Sequence, residues 1–322
     1  MEGRLQSTPA AFRAQFASLP ATLVALEVGT HSRWVSSLLA ELGHEVVVAN
    51  ASQVHLIHKS SRKTDKVDAR TLARLVRLDR TLLSPVQHRS NEAQANLCLV
   101  RARQALVASR TQLINCVRGI VKSFGERLPR CSSESFSEKT AAVIPEVLRP
   151  ALDPLRKQIG ILSAQIQAYD KQILQAADKR FPETQALRAV PGVGALTALS
   201  FVLTLEEPTR FRKSRDVGSY LGLVPEQSQS GASAPQLGIS KAGNSYLRKL
   251  LVGSAQYILG PFGPESDLRR WGCELAKRGG PNAKKRAVVA VARKLAVLLH
   301  RLWIDQAEYQ PFRSPSITQT AA

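Results

Sequence analysis

The sequence lacks long hydrophobic runs, has few cysteines and carries too few acids to balance its bases. No stretch approaches the ~20 apolar residues that a bilayer-spanning helix needs. The most apolar one, AVVAVARKLAVLL over 287–299, is broken by Arg293 and Lys294. The opening MEGRLQSTPAAFRAQF has no apolar core of the signal-peptide kind, so the chain reads as soluble and cytoplasmic, with no membrane partner. Cys98, Cys116, Cys131 and Cys273 form no CxxC pair and have no histidine at ligand spacing, which argues against a disulfide framework and a zinc module. His55 and His58 lie in a Lys/Ser-rich stretch without a third ligand and read as solvated surface. Acids number 25 against 45 lysines and arginines, giving a formal charge of +20 and a pI of about 10.4. These cations are dispersed along the chain. That implies a polyanionic partner, nucleic acid before an anionic membrane, because dispersed cations track a phosphate backbone.

What is present reads as several domains, which 322 residues allow. Residues 8–17 look helical, starting at Ser7, Thr8 and Pro9. ATLVALEV (21–28) reads as a buried strand, a helix follows over roughly 32–42, and GHEVVVAN (43–50) reads as a second strand. Strand, helix, strand at this spacing is a βαβ unit with parallel strands. From about 89 to 124 two sets of apolar residues, Leu99/Leu106/Leu113/Ile120 and Val100/Val107/Ile114/Val121, recur every seven positions, predicting one long helix with a broad apolar stripe. Leu155, Ile159, Leu162, Ile166, Tyr169 and Ile173 alternate steps of four and three, as coiled-coil seams do. The two segments can close as an antiparallel hairpin or pair between subunits, and a homo-oligomer is favoured. Pro191-Gly192-Val193-Gly194 between apolar helical segments is similar to a helix-hairpin-helix, whose amides bind phosphate, and equally to an ordinary turn between helices.

Two places could carry chemistry. In SSRKTDKVDAR (60–70), Asp65 and Asp68 stand three apart, on one helical face, flanked by Arg62, Lys63, Lys66 and Arg70. Glu27 ends the apolar run Leu23–Leu26, at the carboxyl end of a strand, where α/β sheets gather their functional groups. Each acid alone reads as a solvated charge. The three together are hard oxygen ligands suited to Mg²⁺ or Mn²⁺ beside a phosphodiester.

ALEVGTHSRWVSSLLAELGHEVVVAN followed by RKTDKVDARTLARL resembles the N-terminal, RNase H-like domain of the DEDD-type insertion-sequence transposases. AVPGVG, FRKSRDVGSYLGLVPEQSQSG and GISKAGNSYLRKLL resemble the C-terminal domain of the same family, so the resemblance covers nearly the whole chain in the right order. It implies a bridge-RNA-guided recombinase in which an acidic quartet binds metal and a serine attacks DNA. By motif position Glu27, Asp65 and Asp68 match three acids of the quartet, and Ser230 matches the nucleophile. Read alone, SQSG is a flexible polar turn, and only the surrounding motif raises Ser230 above Ser228 and Ser233. The family's first aspartate lies on an opening strand. Residues 1–26 contain no aspartate, so the quartet reads as a triad and the sheet as one without its first strands.

The expected fold is α/β plus α. It comprises an N-terminally truncated RNase H-like (RuvC-like) domain over 1–88, a coiled-coil arm over 89–183, a mostly helical transposase domain over 184–305 with the helix-hairpin-helix-like segment, and a loose tail over 306–322. The expected function is DNA cleavage and strand transfer through Ser230 with metal-binding carboxylates. The alternatives are a metal-dependent, junction-resolving nuclease and a non-catalytic DNA- or RNA-binding remnant. Expected partners are DNA (element ends and target), a structured guide RNA, and further subunits in a dimer or tetramer joined through the arm. Lys241, Arg248 and Lys249 beside the serine motif, and Lys284, Lys285 and Arg286 on the last helix, are the expected phosphate contacts. Tyr220, Tyr246 and Trp271 are candidates for base stacking and equally for a core role. The charge predicts nucleic-acid affinity whose logarithm falls steeply against the logarithm of salt; a flat response in filter-binding or anisotropy titrations would contradict it.

Overall fold

The computed structural model describes residues 3–50, 64–228, 235 and 237–312, and the chain divides into two compact units, Met1–Ser90 and Asn91–Ala322. The first opens with α1 (Pro9–Phe16), where the Thr8 hydroxyl accepts the Ala11 N–H at 3.3 Å and Pro9 occupies a position whose missing N–H costs nothing. Then come β1 (Leu23–Glu27), α2 (Ser32–Glu41) and β2 (Glu45–Ala49). The strands pair in parallel, Leu23 opposite Glu45 and Glu27 opposite Ala49, as a βαβ unit requires. His44, 5% exposed, ties the entry together: its Nδ1 accepts the Thr22 N–H at 3.2 Å and its Nε2–H donates to the Phe16 carbonyl at 3.1 Å.

The two strands are covered unequally. Along the outer edge of β2, Val86 N–H donates to the Val48 carbonyl at 2.8 Å and Asn50 N–H to the Leu83 carbonyl at 3.0 Å. Among the described residues nothing pairs with the outer edge of β1. Thr22 and Val28 bond to β2, so by the alternation of the ladder Leu23, Ala25 and Glu27 direct their backbone groups away from it. Residues Leu23–Leu26 are half-buried rather than buried, because open clefts flank this strand on both faces. Helix α3 (Asp65–Leu78) closes the unit, its Leu72, Leu75 and Val76 packed with Val47, Ala49 and Leu83.

The second unit is helical. Helices α4 (Asn91–Ser123) and α6 (Arg149–Lys179), with the short α5 (Phe136–Lys139) between them, form an antiparallel hairpin. Its sense is fixed by two polar pairs: Arg103 meets Asp170 at 2.8 Å and Arg110 meets Ser163 at 3.1 Å, so one helix ascends as the other descends. Ile159, Ile166 and Ile173 are buried within the chain itself, so the coiled-coil spacing serves an intrachain hairpin. An intersubunit contact through this arm has to use other faces.

Helices α7 (Thr184–Arg188), α8 (Ala195–Leu205), α9 (Asp216–Tyr220), α10 (Ser245–Leu259), α11 (Asp267–Lys277) and α12 (Ala283–Asp305) complete the unit. The turn before α8 requires Gly192, whose φ is +80° and whose added Cβ would stand 2.9 Å from the Tyr257 ring. The main core joins Phe201, Val202 and Leu205 to Leu247 and Leu251 and to Val291, Leu295 and Leu299. Among the described residues no helix is long and apolar enough to cross a membrane.

His300 is fully buried in this core, its Nε2–H donated to the Pro208 carbonyl at 3.0 Å and its Nδ1 accepting from the Ser214 hydroxyl at 3.0 Å. Burial holds its pKa below the ordinary 6.5. The folded state therefore resists protonation that the unfolded chain accepts, and stability is lost as pH falls from about 6.5 toward the depressed value. Denaturant titrations at pH 7.5 and 5.5 should show this loss in the wild type and a smaller one in His300→Gln. Ile159→Ala, in the hairpin core, should lower unfolding free energy by about 2 to 5 kcal/mol through the lost burial and the cavity left behind, measured by the same titrations at neutral pH.

Candidate active site

Thr64 starts α3: its hydroxyl accepts the Val67 N–H at 3.3 Å, and Asp65 and Asp68 occupy the first turn, where the helix dipole favours negative charge. Capping explains why acids are tolerated here but not why one is buried. Asp68 continues the apolar row of Leu72 and Val76 and is only 9% exposed. No described residue donates a hydrogen bond to its carboxylate. A cleft of about 750 Å³ explains where it faces: Glu27, Asp65 and Asp68 all line it, with Leu23–Leu26 of β1, Phe16 of α1, and Leu72, Ala73, Val76 and Arg77 of α3. The three predicted acids thus line one cavity, which runs the length of β1.

They do not form a finished cage. Among the described residues no three acid, histidine or cysteine side chains are grouped closely enough to hold a metal ion. The donor chemistry still fits a hard cation, because Mg²⁺ usually takes one or two carboxylates and completes its shell with water and substrate phosphate oxygens. Arg62 and Lys63, expected beside the acids, lie outside the described residues.

In the second unit the chain leaves α9 and returns to α10 through a narrow two-legged ribbon. Glu226 N–H donates to the Gly238 carbonyl at 2.8 Å, Ser240 N–H to Val224 at 2.9 Å and Lys241 N–H to Gly222 at 3.2 Å. Gly222 and Gly243 permit this approach: both have positive φ, and a Cβ on Gly222 would stand 2.2 Å from the Ala242 nitrogen. Ser230, between the legs in sequence, lies outside the described residues, as do His55 and His58.

The expected phosphate contacts differ in what occupies them. Lys241 and Lys249 are exposed beside the ribbon, and Lys284, Lys285 and Arg286 are exposed in the first turn of α12. Cations there oppose the positive end of the helix dipole, an arrangement that an anion relieves. Arg248 is otherwise engaged, its Nη1 bonded to the Leu221 carbonyl at 2.9 Å and the Ala242 carbonyl at 2.6 Å. No signal in the sequence separated it from Lys249. The aromatic candidates have partners inside the protein. Tyr220 packs edge-on to Phe211 under Arg210, Trp271 lies 3.7 Å below the Lys294 ammonium, and Tyr246 packs on the core shared by α4, α6 and α8.

Comparison with known proteins agrees with this layout. Residues 4–125 match a DEDD-type transposase family, and residues 184–268 match the family described as "Transposase IS116/IS110/IS902 family". The transposase for insertion sequence element IS1111A of Coxiella burnetii is 31% identical over 321 residues, covering 96% of this chain and 86% of that protein. A probable family 20 transposase of Pseudomonas aeruginosa is 31% identical over 316 residues, 96% of this chain and 91% of its own length. The transposase for insertion sequence element IS1328 of Yersinia enterocolitica is 30% identical over 249 residues, 76% of this chain and 72% of its own. With two segments matched in order and relatives at 31% identity aligned over 96% of its length, the chain belongs to the DEDD-type IS110/IS116/IS902 family of insertion-sequence transposases.

Proposed function

We propose that the chain catalyses site-specific DNA transposition through Ser230, with the Glu27, Asp65 and Asp68 cleft holding a divalent ion. The observation that supports this most directly is the cleft along β1, which all three acids line. Attack of the Ser230 hydroxyl on a DNA phosphorus forms a phosphoserine bond, breaks one phosphorus–oxygen bond, and releases a DNA hydroxyl that takes up a proton. An incoming DNA hydroxyl reverses the step on a different strand, so bond energy is conserved. Mg²⁺ or Mn²⁺ held by the carboxylates would polarise the phosphodiester and stabilise the entering and leaving oxygens.

In this reading the first unit works as an RNase H-like (RuvC-like) nuclease domain over 1–88, the hairpin over 89–183 as a coiled-coil arm, and 184–305 as the serine-bearing transposase domain. Lys241, Lys249, Lys284, Lys285 and Arg286 contact phosphates of element ends, target DNA and a structured guide RNA. The protein acts in the cytoplasm as a dimer or tetramer, one subunit's Ser230 able to meet another's carboxylates.

The test incubates the protein with Mg²⁺, guide RNA and target DNA and resolves the products under denaturing conditions. Wild type should give a protein–DNA adduct, Ser230→Ala none with DNA affinity retained, and Asp68→Asn at least about 100-fold less adduct with weaker Mn²⁺ binding in calorimetry. Adduct-free cleavage by both wild type and Ser230→Ala would move the assignment to a water-attack nuclease. Binding without cleavage by the wild type would move it to a non-catalytic nucleic-acid-binding protein.

A further inference from the structure

We propose that Arg248 is a positioning residue for the serine loop, and that it acts from beneath the ribbon rather than on DNA. The inference rests on the serine reading above for its catalytic consequence and on the ribbon geometry for its mechanism. The outgoing leg, 221–226, and the returning leg, 238–243, are joined by the Glu226–Gly238, Ser240–Val224 and Lys241–Gly222 bonds and by the bridge between Pro225 and Ile239. Residues 227–237, which include Ser230, connect them. At the root of this ribbon a single atom, Nη1 of Arg248, reaches one carbonyl from each leg, Leu221 O on the way out and Ala242 O on the way back.

The root itself is anchored. Leu221 and Leu223 are buried in the main core beside Leu247 and Leu251 of α10, so the outgoing leg cannot shift without disturbing that packing. Asn244 starts α10, its carbonyl oxygen accepting the Tyr246 and Leu247 N–H groups at 3.0 Å while its amide donates to the Thr204 hydroxyl at 3.3 Å. Arg248 stands one turn farther along the same helix, on a rigid support. A planar guanidinium is preorganised to donate in fixed directions, whereas a lysine would supply the charge without the fork. The separation of the two legs is thereby set by α10. A ribbon only two strands wide has little stability of its own and takes its aim from its base. Sequence position suggested that Arg248 binds phosphate with Lys241 and Lys249; the bonds that it makes assign it to the protein's own backbone.

The experiment compares wild type with Arg248→Ala, Arg248→Lys, Lys249→Ala and Ser230→Ala in the full chain. It reads DNA affinity at several salt concentrations, adduct formation at saturating DNA, melting temperature, and hydrogen exchange at the Glu226 and Ser240 amides. Arg248→Ala should keep wild-type affinity and salt slope, form adduct about 10- to 100-fold more slowly at saturation through misplacement of the nucleophile, and exchange both amides faster. Arg248→Lys should recover part of the rate. Lys249→Ala should do the reverse, lowering the salt slope by about 1 while leaving exchange of the Glu226 and Ser240 amides at the wild-type rate. A lower salt slope for Arg248→Ala, with its saturating rate and amide exchange unchanged, would overturn the proposal in favour of a phosphate contact. Adduct from Ser230→Ala would overturn the serine reading alone, and the exchange measurement would still decide whether Arg248 braces the ribbon. Should Arg248→Ala melt at a lower temperature, Arg248→Lys carries the comparison: an adduct rate and amide exchange equal to those of Ala in a normally melting protein would also count against the brace.

Discussion

Helix α8 carries no charged side chain, and beyond its first residues it is enclosed on every side. Every residue from Thr197 to Leu205 is buried. Ala198, Phe201, Val202 and Leu205 face the core built with α10 and α12, while Leu199 and Leu203 face Leu97, Val100, Ile173 and Ala176 of the hairpin. One helix thus joins the hairpin to the rest of the second unit, and the Arg103–Asp170 pair nearby adds a polar register to the apolar one.

The first unit is organised around a compromise between stability and access. A two-stranded sheet is marginal by itself, and α1, α2 and α3 supply the burial that it needs. That burial is incomplete along β1, where the cleft keeps the strand half-buried and leaves backbone groups facing outward. Asp68 sits in the apolar row of α3 at the same place. Incomplete cover of an apolar strand costs stability. Departures of this kind from good packing are expected where a protein holds a reactive site, and here they coincide with the three acids.

Net charge overstates the surface available to nucleic acid. Arg110, 6% exposed, uses Nη1 on Ser163 and Nη2 on Glu134 at 3.0 Å to seal the hairpin. Arg269 bonds the Gly260 carbonyl at 2.6 Å, and Lys294 covers Trp271. Arginine serves these internal roles because its several donors reach more than one carbonyl. The lysines at 241, 249, 284 and 285 remain exposed. Binding should accordingly depend on a few clustered cations more than on the total of +20.

By itself the sequence determined what depends on local pattern: the parallel βαβ start from two apolar runs flanking an amphipathic helix, α3 with its two acids on one face, and the long helices from seven-residue spacing. Spacing and strand-end position singled out Glu27, Asp65 and Asp68 as candidates, whereas Ser230 was singled out by the family motif alone. Only tertiary structure decided that the coiled-coil seam closes within one chain, because the same spacing suits a partner helix from either source. It alone showed that, among the described residues, nothing pairs with one edge of β1, since the pairing of a strand depends on neighbours that its own residues do not specify. And it alone separated Arg248 from Lys249: adjacent cations on a helix point 100° apart, and whether one meets carbonyls or solvent is set by how distant segments pack.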